Sequence, residues 1–230
     1  MKNPKVLVAC EESQRVCMAF RERGIEAYSC DIQEPSGGHP EWHICGDVIP
    51  VLEGGTVTTM DGQQHKVGKW DLIIAHPPCT YISRAGSNRW LRKGGVIKDY
   101  SRYIKSLKAV ILFVSILSSD VEHIAIENPV PMKKVLPIPY SQIIQPYYFG
   151  SPYMKTTCLW LKGLPLLNKE NEVIPTMKWV MSTDHRRCKQ KDIWQTSGKS
   201  DQKERSKTFP EIARAFARQW GDYLLGLEET

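Results

Sequence analysis

Asp71-Leu72-Ile73-Ile74-Ala75-His76-Pro77-Pro78-Cys79-Thr80-Tyr81-Ile82-Ser83 decides how this chain is read. Its opening is an acid followed by a continuous apolar run, the pattern of a short strand buried on both faces. Two prolines then fix the backbone of the exit loop. They present Cys79 as a rigidly held thiol at the carboxyl end of the strand. Further along, the apolar run Ile124-Ala125-Ile126 ends in Glu127-Asn128-Pro129. A thiol and a carboxylate at the ends of two sheet strands suit covalent chemistry on a ring that needs both a nucleophile and an acid.

Outward from this stretch, strands and helices alternate. Val6-Leu7-Val8-Ala9 reads as a buried strand. Gln14 to Arg23 has helical spacing, with Val16, Cys17, Ala19 and Phe20 on one face and Gly24 closing it. Glu26 to Asp31 and Ile44 to Val48 read as strands that end in or contain a carboxylate. Thr56 to Val67 carries an Asp61-Gly62 turn between polar strands, a hairpin inserted before the Asp71 strand. An apolar-rich helix lies between Asp99 and Ser119. Ile143 to Phe149 and Thr157 to Leu161 read as later strands. Phe209 to Leu225 reads as an amphipathic helix with Pro210 in its first turn. This alternation predicts an α/β sheet, parallel in its first half. Ligands of such sheets bind beyond the carboxyl ends of the strands, where Ala9–Ser13, Asp31, Asp47, Cys79 and Glu127 fall.

The chain has 230 residues, 41% hydrophobic and 24% charged, enough for one large domain. No apolar run reaches the roughly 20 residues of a membrane helix, and the start carries no secretory pattern. The expected location is cytoplasmic. Seven scattered cysteines without a Cys-x-x-Cys pair argue for reduced thiols. His39, His43 and Cys45, and His185 with Cys188, lack a full ligand spacing for zinc, so no metal is expected. Net charge is +6, and Lys178 to Lys207 carries nine Lys/Arg against four Asp/Glu. That stretch, interleaved with Trp179 and Trp194, holds most of the excess charge and permits a polyanionic partner.

Asp31 at a strand end suits the hydroxyls of a ribose, and Asp47 an exocyclic amine; each also reads as a cap or a solvated loop acid. A cysteine is nucleophilic only as its thiolate. A desolvated Glu127 is expected to stay protonated near neutral pH and to donate to a ring nitrogen; it also reads as a helix N-terminal acid or a loop salt bridge. The Pro-Pro pair ends in cysteine where the adenine and amino-cytosine methyltransferases have an aromatic residue, which favours a covalent route.

On these residues the chain resembles the DNA cytosine-5 methyltransferases. Pro78-Cys79 matches their Pro-Cys nucleophile motif, with Ser83 at its serine. Glu127-Asn128 matches their Glu-Asn-Val motif, with Pro129 in place of valine. Asp31 and Asp47 match the strand-end acids that hold S-adenosylmethionine. Phe149 to Leu161 looks like the stretch Tyr-Gly-x-Pro-Gln-x-Arg-x-Arg before a strand. The likeness spans roughly residues 5 to 161 plus a closing helix from Thr208. It implies a Rossmann-like S-adenosylmethionine-dependent methyltransferase fold with a small basic target-recognition lobe. The implied layout is a catalytic domain over 1–161, a target region over 162–205 and a returning helix over 206–230.

The resemblance implies Cys79 and Glu127 as the catalytic pair, with Lys155 and Thr157 holding the base and the thiolate. It implies Ala9, Cys10, Glu11, Glu12, Ser13, Asp31, Ile32, Asp47, Val48, His76 and Pro78 around the cofactor. It places Ser83, Arg84, Arg89, Arg186, Arg187, Lys189 and Lys191 against DNA, with the target cytosine flipped out of a duplex. The implied reaction is methyl transfer from S-adenosylmethionine to carbon 5 of cytosine through a Cys79 adduct. The departures are specific. The family's glycine-rich cofactor loop is Ala9-Cys10-Glu11-Glu12-Ser13 here, without glycine. Thr80 replaces the glutamine after the cysteine, and the two arginines become Lys155 and Thr157. The short target region suits a stand-alone phage or mobile-element enzyme acting in a bacterial host. It also leaves room for a deoxycytidine nucleotide as substrate, or for a group other than methyl. The missing glycines leave room for a catalytically silent DNA-binding relative.

Overall fold

The computed structural model describes residues 3–87, 89–92, 94–178, 195–196 and 206–227. Arg186, Arg187, Lys189 and Lys191 lie outside the described residues. Strand β1 (Lys5–Ala9) is the centre from which the sheet grows. It pairs in parallel with β2 (Glu26–Asp31) on one side, and β2 pairs with β3 (His43–Cys45). The hairpin β4 (Gly55–Thr58) and β5 (Gln64–Gly68) stands apart as its own two-stranded sheet. On the other side, β1 pairs with β6 (Leu72–Ala75), and β6 with β7 (His123–Pro129), both in parallel. The sheet closes with β8 (Gln142–Ile144) at the edge. An antiparallel strand, Thr157–Lys162, is inserted between β7 and β8. The first half is parallel because each return runs through a helix or long loop that crosses a face of the sheet. This is a doubly wound, Rossmann-like sheet, the architecture that the motifs imply.

Strands β1 and β6 are buried at nearly every position, so alternate side chains feed two separate cores. Val6, Val8, Leu72 and Ile74 point into the first core, with Val16, Ala19 and Phe20 of helix α1 (Arg15–Glu22). The C-terminal helical segment completes it through Ile212, Phe216 and Trp220. That segment is helical over Pro210–Ala215, passes through a π-turn at Phe216–Trp220, and resumes over Gly221–Leu225. Leu7, Ile73, Ile124 and Ile126 point the other way. There they meet Phe113 and Ile116 of a long helix, Tyr100–Leu117, and the edge of Trp160, whose ring lies 5.0 Å from Phe113. Asp99 caps that helix by accepting from the Arg102 amide at 3.0 Å.

Two sequence-based elements differ. Ile143 to Phe149 is not one strand: Pro146 ends β8, and residues Pro146–Phe149 turn as a short 3-10 helix. A proline nitrogen cannot donate to the ladder, so the pairing stops where it occurs. Strand β7 also runs farther than its apolar core, to Pro129, which puts Glu127 and Asn128 on the strand itself. Residues 162–178, the start of the expected target lobe, run back over the C-terminal segment. Trp220 Nε1 donates to the Pro165 carbonyl at 3.1 Å, and Leu167 is buried in the first core. The strand at Tyr153–Met154 pairs in parallel with Met177–Lys178, which pairs with Gln195–Thr196.

Candidate active site

Register creates the site. Ala75 is the partner of Ile126 across the β6–β7 ladder, so the next residues, His76 just past the end of β6 and Glu127 still on β7, stand side by side. His76 Nδ1 lies 2.8 Å from Glu127 Oε2, and the two side chains are only 13% and 10% exposed. A second bond holds the same two strand ends together: Asn128 Nδ2 donates to the Pro77 carbonyl at 2.8 Å. The Thr208 hydroxyl, from the C-terminal segment, donates to Glu127 Oε2 at 3.1 Å. Arg15 in turn holds the Thr208 carbonyl at 2.8 Å.

The charge states follow from these contacts. Burial alone would neutralise Glu127, but the hydrogen bond and charge of His76, with the field of Lys155, overrule it and hold the carboxyl down to about 2. Burial likewise works against a charge on His76, yet Glu127 and then Glu11 raise its pKa above the ordinary imidazole value. The pair is therefore an imidazolium and a carboxylate near pH 6. This corrects the expectation of a protonated Glu127 in favour of the salt-bridge reading: the facing histidine reverses the effect of desolvation. His76 Nε2 and Asn128 Oδ1 are buried with no partner among the described residues.

Cys79 is half-buried, beyond the rigid Pro77-Pro78 step. Burial pushes its thiol up, while Lys155 draws it down and Glu127 adds to the rise. Lys155, its Nζ 3.4 Å from the Lys207 carbonyl and 5.8 Å from the ring of Phe209, is thus the cation whose field reaches both groups. The loop after Cys79 is tight: Ser83 N donates to the Cys79 carbonyl at 2.9 Å, and Gly86 packs against the Thr80 carbonyl. Ser83 is buried, and its hydroxyl accepts from the Gly86 amide at 3.2 Å. Arg84 and Arg89 are exposed on this loop. Trp90 is a buried packing residue that donates to the Tyr81 carbonyl. Thr157 is buried too, its hydroxyl on the Lys155 carbonyl at 3.3 Å.

The loop Ala9–Ser13 turns without glycine because Cys10 and Gln14 adopt left-handed backbone, each at φ 58°. Glu11 is buried and fills the first turn of α1, accepting from the Val16 and Cys17 amides at 2.7 and 3.2 Å. Burial raises its pKa, against His76 and those amides. Glu12 and Ser13 are buried beside it. Asp31 and Asp47 stand at neighbouring strand ends, both acting on the Cys10 thiol, which burial and these charges push far up. Each caps its own turn, Asp31 on the Gln33 amide at 2.9 Å and Asp47 on the Ile49 amide at 3.0 Å. Ile32 is 78% exposed next to Asp31, and Val48 is buried behind Asp47. An acid beside an exposed aliphatic side chain at the end of β2 fits a ribose and the face of a purine, so these residues suit a nucleoside-bearing cofactor. Among the described residues no cluster of His, Cys, Asp and Glu can hold a metal ion.

Sequence reasoning missed Thr208 and Arg15. Their contacts with the site span 81 and 193 residues of chain, and no local pattern signals them. It placed His76 with the cofactor; the cross-strand register that turns it toward Glu127 appears only in the sheet.

No protein-family model and no curated protein matches the chain. The chain is similar to parts of several solved structures. One is a prophage-encoded E. coli protein proposed to be a DNA modification methyltransferase, at a TM-score of 0.40 and 12% identity, over 69% of this chain and 46% of that one. Another is the Entamoeba histolytica methyltransferase EhMeth, at a TM-score of 0.42 and 14% identity, over 75% of this chain and 58% of that one. The chain thus spans about half the length of these structures. Likenesses at this level assign neither substrate nor activity.

Proposed function

We propose that the protein is an S-adenosylmethionine-dependent methyltransferase that modifies carbon 5 of cytosine in DNA. One observation carries the reading: the run His76-Pro77-Pro78-Cys79 leaves β6 beside Glu127 and Asn128, which lie near the carboxyl end of the adjacent parallel strand β7, and two hydrogen bonds join the two ends. Cys79 feels the charge of Glu127, which supports reading the two as the nucleophile and the acid that attack on a pyrimidine ring requires.

Cys79 loses its proton to solvent under the field of Lys155, and the thiolate attacks carbon 6 of the cytosine. A carbon–sulfur bond forms, and the electron pair of the 5,6 double bond moves toward carbon 4 and nitrogen 3. Nitrogen 3 takes a proton from Glu127. Glu127 is ionised before the base arrives, so it relays the proton from His76 Nδ1, 2.8 Å away. Carbon 5 is now the nucleophile of an enamine. S-adenosylmethionine, when bound at Asp31, Ile32 and Asp47, supplies the electrophilic methyl group. Solvent takes the carbon 5 proton. The pair of that C–H bond forms the 5,6 double bond again as the carbon–sulfur bond breaks and its pair leaves on the Cys79 thiolate. The nitrogen 3 proton returns through Glu127 to His76. Arg84 and Arg89, exposed after the Cys79 loop, are the residues that would meet phosphates flanking a flipped base. Arg186, Arg187, Lys189 and Lys191 belong to the basic stretch that would add sequence-independent affinity.

The test is duplex DNA containing 5-fluorodeoxycytidine, with S-adenosylmethionine. Fluorine blocks the final proton loss, so the expected result is a denaturant-stable protein–DNA adduct that Cys79→Ala abolishes. Folded protein that binds the cofactor but gives no adduct in any sequence context would overturn the DNA reading. Single strands and free deoxycytidine nucleotides, run in parallel, separate the substrate classes. One feature favours a second reading, a silent DNA-binding relative: Glu11 already occupies the amides at the α1 N-terminus. Failure of S-adenosylmethionine to bind in calorimetry would select it.

A further inference from the structure

The helix Tyr100–Leu117 carries two apolar stripes and buries only one. Ser106, Ala109, Phe113 and Ile116 face the sheet. On the opposite side Tyr100, Ile104, Leu107, Ile111 and Val114 are 71%, 51%, 41%, 63% and 42% exposed. Their spacing alternates four and three residues, the heptad rhythm that keeps a stripe in line along a helix wound against another helix. A helix that only roofs a sheet needs the first stripe alone. The second is a patch on the order of 500 Å², near the upper end of what a monomer leaves in water.

We infer that a second copy of this chain covers this stripe, the two Tyr100–Leu117 helices packing antiparallel across a two-fold axis near Ile111. Two copies of one surface meet this way in a closed dimer, and two such patches reach the roughly 1,000 Å² that a specific interface needs. The charges choose the direction. The helix contains no acid. Its cations, Arg102, Lys105 and Lys108, all lie in the first half, and the last turn has none. Arg102 is already engaged by Asp99 and by the ring of Tyr81; Lys105 and Lys108 are exposed along the stripe. Beyond the carboxyl end stands Asp120, whose side chain is fully exposed and reached by Lys69 at 2.8 Å. Antiparallel packing about Ile111 sets Leu107 against the partner's Val114. It lays Lys105 and Lys108 along the negative end of the partner helix, near its Asp120. Parallel packing would align the cations of both copies.

Sedimentation of the full chain without DNA or cofactor tests the inference independently of catalysis. The expected result is twice the 26.3 kDa chain mass at micromolar concentration. Ile111→Glu, which meets its own copy at the axis, is expected to sediment at the single-chain mass with an unchanged far-ultraviolet spectrum. Leu107→Lys is expected to do the same, so the result does not hang on one variant. Ile174→Glu, at another exposed position, is expected to remain double. A wild-type chain of single mass at every concentration overturns the inference. So does a double mass that survives both stripe substitutions.

Discussion

At the scale of single residues, the site rests on one ion pair with two opposite shifts. Glu127 falls from an ordinary 4.5 to about 2 on folding, so its stabilisation is present above pH 4.5 and is lost as pH falls through about 2. His76 rises above an ordinary 6.5, so its stabilisation is complete below pH 6.5 and is lost as pH climbs through the folded value. Both contributions are full only between 4.5 and 6.5. His76→Gln leaves a buried carboxylate without its strongest partner and is expected to cost about 3 kcal/mol in that window. Urea unfolding should show the gap to wild type narrowing on the alkaline side, where the wild-type imidazole also becomes neutral. A gap that stays constant with pH would mean the pair is not ionised. The sequence made both members visible, Glu127 by its motif and His76 by its place before two prolines. Their protonation was not legible, because it depends on a facing distance that the sheet register creates.

At the scale of elements, legibility followed periodicity. Strands β1, β2 and β6, helix α1 and the Asp-Gly hairpin are short, regular and bounded by turn residues, and they fold where pattern places them. The segment from Ile143 to Leu161 reads less well, because an inserted antiparallel strand has no pattern that separates it from a parallel one. The turn after the nucleophile shows how tightly an irregular element can be specified. A Cβ added at Gly86 would lie 2.0 Å from the Thr80 carbonyl oxygen, a clash with backbone that no side-chain rotation relieves. Gly86→Ala must therefore push the turn Thr80–Ser83 outward and with it Cys79. The expected cost is about 1–3 kcal/mol in thermal or urea unfolding. Mass spectrometry after brief alkylation should show Cys79 modified faster than in wild type, with the exposed Cys45 as internal reference. Equal Cys79 labelling would show that the turn absorbs the methyl without moving the thiol.

At the scale of the molecule, the last described segment finishes a site that begins at β1. Phe209, Ile212, Phe216 and Trp220 anchor it in the same core as α1, and this burial delivers Thr208 to Glu127 and lets Arg15 hold the Thr208 carbonyl. The sequence signals the helix through its amphipathic spacing, but a contact spanning 81 residues has no local trace. Thr208 gives Glu127 Oε2 a second donor beside His76, so it helps keep the carboxyl low and turned toward one oxygen. Thr208→Val keeps the shape and removes the donor. The loss of one hydrogen bond to a charged group is expected to cost about 1.5–3 kcal/mol in unfolding. Because the carboxylate then keeps one hydrogen-bond donor, His76, beside the field of Lys155, adduct formation with 5-fluorodeoxycytidine DNA should also slow, while cofactor affinity measured by calorimetry holds. Thr208→Ser, which restores the hydroxyl, should recover both stability and rate. A valine variant that behaves like wild type, with a serine variant that loses stability, would place the role of Thr208 in the packing of its methyl group and detach the C-terminal segment from the chemistry. Recovery by serine alone makes that segment part of the acid side of the site, completed only when the chain has folded back across its first core.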